Sequence, residues 1–390
     1  MTPGARTEAA IELLDAIILA VREGGAAADT LVARYFATRR YAGSKDRRAV
    51  RELVYAAIRR AGEIPPSGRA AMLLLADDDA AIADTFDGSN HAPAPIAQGE
   101  KRAGQGIAPA WLVDALIASG LPSDALPALV SRAPLDVRVN TLKPQPVVEA
   151  AEPLPRVPAG LRLPTGTVVE QLPAFRDGAI EVQDEGSQIV GLVLPVQPGD
   201  RIVDLCAGAG GKTLALAARM QDQGALLACD TDRNRLSRLA PRAERAGVSI
   251  IETRLLDPNH EAEALVGWQG SADGVLVDAP CSGTGTWRRN PEARWRLNPK
   301  RLAKLVETQA HVLAIAAPLV RPGGSLTYIV CSLLDDEGAG QVASFLTAHP
   351  GWAADTPALP AGRPHGPGIR LDPAADGTDG FFVARLVAPC

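Results

Sequence analysis

Between residues 7 and 61 apolar side chains recur three and four positions apart, the period of helices that bury one face. Ile11, Leu14, Ile18 and Val21 mark a first helix, which Gly24-Gly25 ends, and a second is predicted over about 30–39. The third carries Ser44 as N-cap, Asp46 in its first turn, Val50, Leu53, Val54, Ala57 and Ile58 on one face, and Gly62 as its stop. Helical signals continue over 69–76 and 110–119, so an all-helical domain is expected over 1–130. Eight of the forty residues from Pro134 to Pro173 are proline, with extended pieces at 137–140 and 167–169 between them. Proline removes helical options, so a small α+β connector is expected over 131–185. From Asp200 the pattern alternates: strands at 201–206, 225–230, 249–252, 272–278, 325–330 and 381–387, and helices at 212–220, 233–246, 299–319 and 337–348. Apolar strands separated by helices predict an α/β domain over 186–390, with a mainly parallel sheet covered on both faces. Ligands of such sheets sit at the carboxyl ends of the strands.

The 390 residues are 46% apolar and 22% charged, which excludes a disordered chain. The longest unbroken apolar run, Ala70 to Ala76, is far below the roughly 20 residues of a bilayer span. The first residues lack the apolar core of a secretory signal, and a cytoplasmic location is expected. The five cysteines, at 206, 229, 281, 331 and 390, form no CxxC pair and have no histidines at metal-ligand spacing, so neither a disulfide framework nor a metal site is indicated. The net charge of −5 argues against a general polycation, but ten basic residues against three acidic ones lie between Arg34 and Arg69. A solvated helix face and a phosphate-contacting surface both fit that run.

Candidate chemistry lies at the strand ends. The first strand runs into Asp204-Leu205-Cys206-Ala207-Gly208-Ala209-Gly210-Gly211-Lys212-Thr213, a turn whose glycines let backbone approach a ligand at a helix start. A P-loop fails at its first glycine, where Cys206 stands, and the dinucleotide fingerprint is weakened by Thr213 in place of its third glycine. Asp230, at the end of the second strand, is placed to accept hydrogen bonds from a ribose, which favours a nucleoside cofactor. Two later strands end in Asp278-Ala279-Pro280-Cys281 and in Tyr328-Ile329-Val330-Cys331, and adjacent ends would bring both thiols into one crevice. Either cysteine also suits a small buried hydrophobe. Two thiols and a carboxyl beside a nucleoside cofactor suit alkylation of a pyrimidine at carbon 5, because a thiolate added at carbon 6 turns the ring into a nucleophilic enamine. A carboxyl hydrogen-bonded to the N3 edge would help neutralise the charge that develops.

These segments resemble the Sun/RsmB family of RNA (cytosine-5) methyltransferases. The resemblance covers about Asp136 to Val387 and rests on Arg138 to Lys143, Gln183 to Gln188, Asp204 to Thr213, Asp278 to Gly285, Asn290 to Trp295, Tyr328 to Leu333 and Asp379 to Arg385, in that order. It implies a Rossmann-like, S-adenosylmethionine-dependent catalytic domain, and the helical N-terminus looks like a NusB-type RNA-binding domain. It also implies that Cys206, Ala207, Gly208, Ala209, Gly210, Gly211, Lys212, Asp230, Asp257 and Asp278 contact S-adenosylmethionine. Cys331 would be the nucleophile, Cys281 would assist release of the methylated product, and Lys212 would help orient the site; Asp278 is expected with these three among the catalytic residues. Val330 replaces the family's usual threonine, losing a hydroxyl, and Gly208-Ala209 replaces the commoner Ala-Pro.

The expected partner is RNA, most readily ribosomal RNA of the small subunit, with no membrane, metal or obligate protein partner. Seven basic residues from Arg288 to Lys304, facing only Glu292 and accompanied by Trp287 and Trp295, are expected to form an RNA-contacting cluster. Transfer RNA as substrate, and a non-catalytic RNA-binding assembly factor, are the alternatives. A nicotinamide-dependent oxidoreductase would need a hydride-transfer acid such as a Tyr/Lys pair, and none is found.

Overall fold

The computed structural model describes residues 1–390, which divide into two units: 1–132 with 286–298, and 133–285 with 299–390. The first unit is helical, with α1 (Pro3–Glu23), α2 (Ala28–Thr38), α3 (Ser44–Arg60), α4 (Gly68–Ala76) and α5 (Ala110–Ala118). Thr2 caps α1 by accepting from the Ala5 amide, and Gly24 ends it in the left-handed conformation. Gly43, not Ser44, is the residue ahead of α3. The expected apolar stripes become the core: Leu14, Ile17 and Val21 of α1 meet Val50, Val54 and Ile58 of α3 and the apolar face of α4. Gly68 is needed there, since a β-carbon would lie 2.2 Å from the Ile11 carbonyl.

Residues 286–298 complete this unit from far along the chain. Three helix ends are satisfied by one 3-10 turn, Pro291–Arg296. Arg294 Nη2 donates to the carbonyls of Ile58 (2.6 Å) and Ala61 (2.9 Å), where α3 ends. Arg296 donates to Gly25 (2.9 Å) and Ala26 (2.7 Å), just past α1, and Glu292 accepts from the Ala28 amide that opens α2. Cations thus sit at helix carboxyl ends and an anion at an amino end, the arrangement helix dipoles favour. The Trp295 indole donates to Ala61 and Gly62. This corrects the expected RNA-contacting cluster: Trp287 and Arg294 are 0% exposed, Trp295 is 3% exposed, and Arg288 is also buried. Donors directed at buried helix carbonyls are not available to phosphates. Lys300, Arg301 and Lys304 remain exposed in the second unit.

The second unit opens with a four-stranded antiparallel sheet of order β2-β3-β1-β4, built from β1 (Leu135–Val139), β2 (Glu152–Pro153), β3 (Gly160–Leu163) and β4 (Ile180–Val182). The extended piece expected at 167–169 leads instead into a 3-10 turn at Val169–Gln171. The larger sheet holds β5 (Arg201–Asp204), β6 (Ala225–Asp230), β7 (Ile251–Leu255), β8 (Ala272–Asp278), β9 (Val320–Val330), β10 (Ala353–Asp355), β11 (Arg363–His365), β12 (Gly368–Leu371) and β13 (Phe381–Val387). Its order is β11-β12-β13-β9-β8-β5-β6-β7, with β10 on β13. It is parallel from β9 to β7 and antiparallel from β9 through β13 to β11. Alternate residues enter opposite cores: Leu326, Tyr328 and Val330 one, Ile329 the other.

Four helices of this unit bear on the site: α6 (Glu185–Gly191), α7 (Gly211–Arg219), α8 (Leu239–Ala246) and α9 (Pro299–Ala316). The single helix expected over 233–246 is interrupted after Leu236, and α8 is its second part. The small sheet is tied to α8 by Glu181, which pairs with Arg242 and Arg245, and by Asn140 Nδ2, which donates to the Ala246 carbonyl at 2.8 Å.

Candidate active site

Three parallel strands deliver carboxylates to one edge of the sheet. In register, Asp204 of β5 lies opposite Leu276 of β8, and Asp278 of β8 lies opposite Ile329 of β9. Asp230 ends β6 beside them, opposite Leu255 of β7. The turn after β5 has Gly208 and Gly210 at φ +55° and +87°, and a β-carbon on Gly210 would lie 2.0 Å from Leu239 of α8. The Gly208 amide donates to Asp230 Oδ2 at 2.8 Å, and Thr213 donates to Asp204 Oδ2 at 2.7 Å. No side chain caps α7. Its first amides therefore open on the turn, an arrangement suited to a carboxylate or phosphate.

Lys212, in the first turn of α7, donates to Asp278 Oδ2 at 2.7 Å. Burial would lower its pKa, but the charge and hydrogen bond of Asp278 outweigh that, with smaller contributions from Cys331 and Asp204, and hold it above its usual value. Burial lifts the Asp204 carboxyl to about 7, against the Thr213 hydrogen bond. Cys206 is pushed up by burial and by the carboxylates of Asp204, Asp230 and Asp278. A thiol in that setting keeps its proton, so Cys206 can line a ligand but is poorly suited to attack.

The two other thiols meet as the strand ends suggested. Cys281, just after β8, and Cys331, just after β9, have their Sγ atoms 3.3 Å apart, and both remain free thiols. The hydrogen bond with Cys331 pushes the Cys281 thiol well up, and burial and the charges of Cys331 and Glu337 add to it. Cys281 therefore holds its proton and can donate it toward Cys331. Gly285 lets the chain close over this loop, because a β-carbon there would lie 2.1 Å from the Gly380 carbonyl. Cys229 lies buried within β6, its thiol raised to about 12 chiefly by burial, and Cys390 is exposed. Asp257 follows β7 on an exposed turn, and Val330 is fully buried.

One group at this site has no signature in the chain: Glu337, buried behind both cysteines and bonded to Ser282 and Ser332. The sequence pattern marks it only as the first residue of the helix expected over 337–348, and that helix begins instead at Ala339. No three His, Cys, Asp or Glu side chains are grouped to hold a metal, and no helix is long and apolar enough to cross a membrane.

The glycine cradle, the open amides of α7 and Asp230 at the neighbouring strand end fit a nucleoside carrying a carboxylate tail. Comparison with known proteins agrees with this frame. Residues 191–387 match the family described as 16S rRNA methyltransferase RsmB/F. Ribosomal RNA small subunit methyltransferase B of Salmonella heidelberg (strain SL476) is 36% identical over 237 residues, 60% of this chain and 53% of that protein. The chain thus matches about half the length of this curated relative. The crystal structure of PH0851 superposes with a TM-score of 0.78 at 26% identity, covering 97% of this chain and 98% of that one. NSun6 from Pyrococcus horikoshii, solved with SFG, shares the fold at 21% identity and a TM-score of 0.58, covering 67% and 92%. With half of its length matching the family model, the chain belongs to the family described as 16S rRNA methyltransferase RsmB/F.

Proposed function

We propose that the protein transfers a methyl group from S-adenosylmethionine to carbon 5 of a cytosine in small-subunit ribosomal RNA, through a transient bond between Cys331 and carbon 6. The observation that carries this reading is the pair of thiols 3.3 Å apart at the ends of adjacent strands, beside the Lys212–Asp278 pair.

The turn Cys206 to Gly211 with Lys212, together with Asp230, Asp257 and Asp278, would hold S-adenosylmethionine. The α7 amides would take its carboxylate, and Asp230 its ribose hydroxyls. When bound, it supplies an electrophilic methyl group. Cys331 attacks carbon 6 as a thiolate, which moves the ring's π electrons toward carbon 5. Cys281 keeps its proton during this attack and donates a hydrogen bond to the Cys331 sulfur. In the final step a base takes the carbon 5 proton and the Cys331–carbon bond breaks, with Cys281 assisting release. Asp278, bonded to Lys212 in the free protein, would meet the N3 edge of the base. A base within structured RNA must first be unstacked, at a cost of a few kcal/mol, roughly. The helical unit, read as NusB-like, would hold the RNA.

Methyl incorporation from labelled S-adenosylmethionine into unmodified small-subunit RNA, followed by bisulfite sequencing, tests the reading. Cys331→Ala is expected to abolish transfer, and Cys281→Ala to accumulate a denaturation-resistant protein–RNA adduct. Near-normal turnover by Cys331→Ala would overturn the nucleophile assignment. Signal confined to transfer RNA would overturn the substrate.

A further inference from the structure

Ser282 directly follows Cys281 and Ser332 directly follows Cys331, and both are bound to one buried side chain. Glu337 is 0% exposed. Its Oε1 accepts from the Ser282 amide at 2.7 Å and from Gln309 Nε2 of α9 at 3.0 Å. Its Oε2 accepts from the hydroxyls of Ser282 and of Ser332, the latter at 2.5 Å. All four partners are donors, so the carboxylate is fully engaged without a counter-cation. The surroundings hold it in turn: Tyr328 donates to the Glu337 carbonyl at 2.7 Å, and Gln309 also donates to the Pro280 carbonyl at 2.9 Å. Thr284 lies 3.1 Å from Ser332 and accepts from the Leu333 amide at 2.8 Å.

We infer that Glu337 is a positioning residue that sets the spacing of the two thiols by clamping the residue after each of them. Neither cysteine loop can shift along its strand without breaking bonds to a carboxylate that has no water to replace them. The negative charge of Glu337 also adds to the rise of the Cys281 thiol, which separates the proton-holding cysteine from its neighbour. A carboxylate suits this place because a neutral amide would turn one of its two ends from acceptor to donor. As an account of catalysis the inference rests on the methyl-transfer reading above; as an account of the thiol spacing it stands apart from it.

The test uses the full chain and glutathione redox buffers. Oxidation joins the Cys281 and Cys331 sulfurs, and glutathione disulfide is reduced to two glutathione molecules. The position of that equilibrium gives the effective concentration of one thiol at the other. Glu337→Gln is expected to lower it by about tenfold, the equivalent of one lost hydrogen bond to a charged group, and Ser332→Ala to lower it in the same direction. Adding Ser332→Ala to Glu337→Gln is expected to lower it little further, since both break the same clamp. In parallel, kcat for RNA is expected to fall by about 100-fold with KM for RNA and affinity for S-adenosylmethionine unchanged, as for a misplaced reacting group. An unchanged disulfide equilibrium in both single variants would overturn the inference. If Glu337→Gln does not fold, Ser332→Ala alone decides by the same measure. A shifted equilibrium in a protein whose wild type methylates no RNA would leave the clamp standing and remove the functional reading.

Discussion

Asp204 carries a charge the fold does not favour. It ends β5 fully enclosed, its Oδ1 has no protein donor, and burial holds its carboxyl at about 7 despite the bond from Thr213. Between pH 5 and 7 the folded protein keeps a proton that the unfolded chain has already released. The stability Asp204 contributes is present at low pH and is lost as pH rises through 7, by about 2 kcal/mol between pH 5 and 7. Asp204→Asn is expected to remove that slope. Urea unfolding at pH 5 and pH 7 checks it, and equal slopes in wild type and variant would show that Asp204 ionises normally. The spacing after β5 marked this residue, but its environment depends on β6 and β8 beside it. Glu337 is the opposite case: the sequence pattern marks it only as a helix start, and burial makes it part of the site.

The segment 286–298 shows how a motif can be recognised and its role misread. Charge counting finds arginines and tryptophans together, which describes an RNA surface and a buried strap equally well. The difference is where the guanidinium donors go, and their acceptors lie more than two hundred residues earlier in the chain, at the ends of α1 and α3. Arg294 is buried enough to bring its pKa down to about 9, which only a well-bonded cation tolerates. Arg294→Met keeps much of the volume but leaves the Ile58 and Ala61 carbonyls without this donor. It is expected to destabilise the helical unit by about 3 kcal/mol. Hydrogen exchange along α3 measures this, and unchanged protection there would argue that other groups hold the helix end.

For RNA binding, the structure narrows a charge of +7 to a smaller face. Between Arg34 and Arg69 several cations are already paired: Arg39 with Glu12, Arg51 with Asp29, Arg60 with Asp78 and Arg69 with Glu100. Arg34, Arg40, Lys45 and Arg48 stay exposed without an ion pair, and Tyr41, 73% exposed, stands among them at the turn between α2 and α3. Reversing Arg40, Lys45 and Arg48 to glutamate is expected to weaken RNA binding and to flatten its salt dependence by about 2–3 in the log–log slope. Affinity for S-adenosylmethionine should not move. Identical salt slopes would return this face to ordinary solvated surface.

Periodicity and turn chemistry act over a few residues. For that reason α1 to α5 of the first unit, the strands 225–230, 272–278 and 381–387, and the carboxylates and thiols at the strand ends could be read directly from the chain. Other features depend on partners distant in sequence. The 3.3 Å approach of the two sulfurs, the burial of Glu337 between their loops and the inclusion of 286–298 in the helical unit arise only when separate segments pack together. Local pattern specifies which face of an element is apolar. It does not say which distant donor meets which buried acceptor, and in this protein that pairing shapes the site.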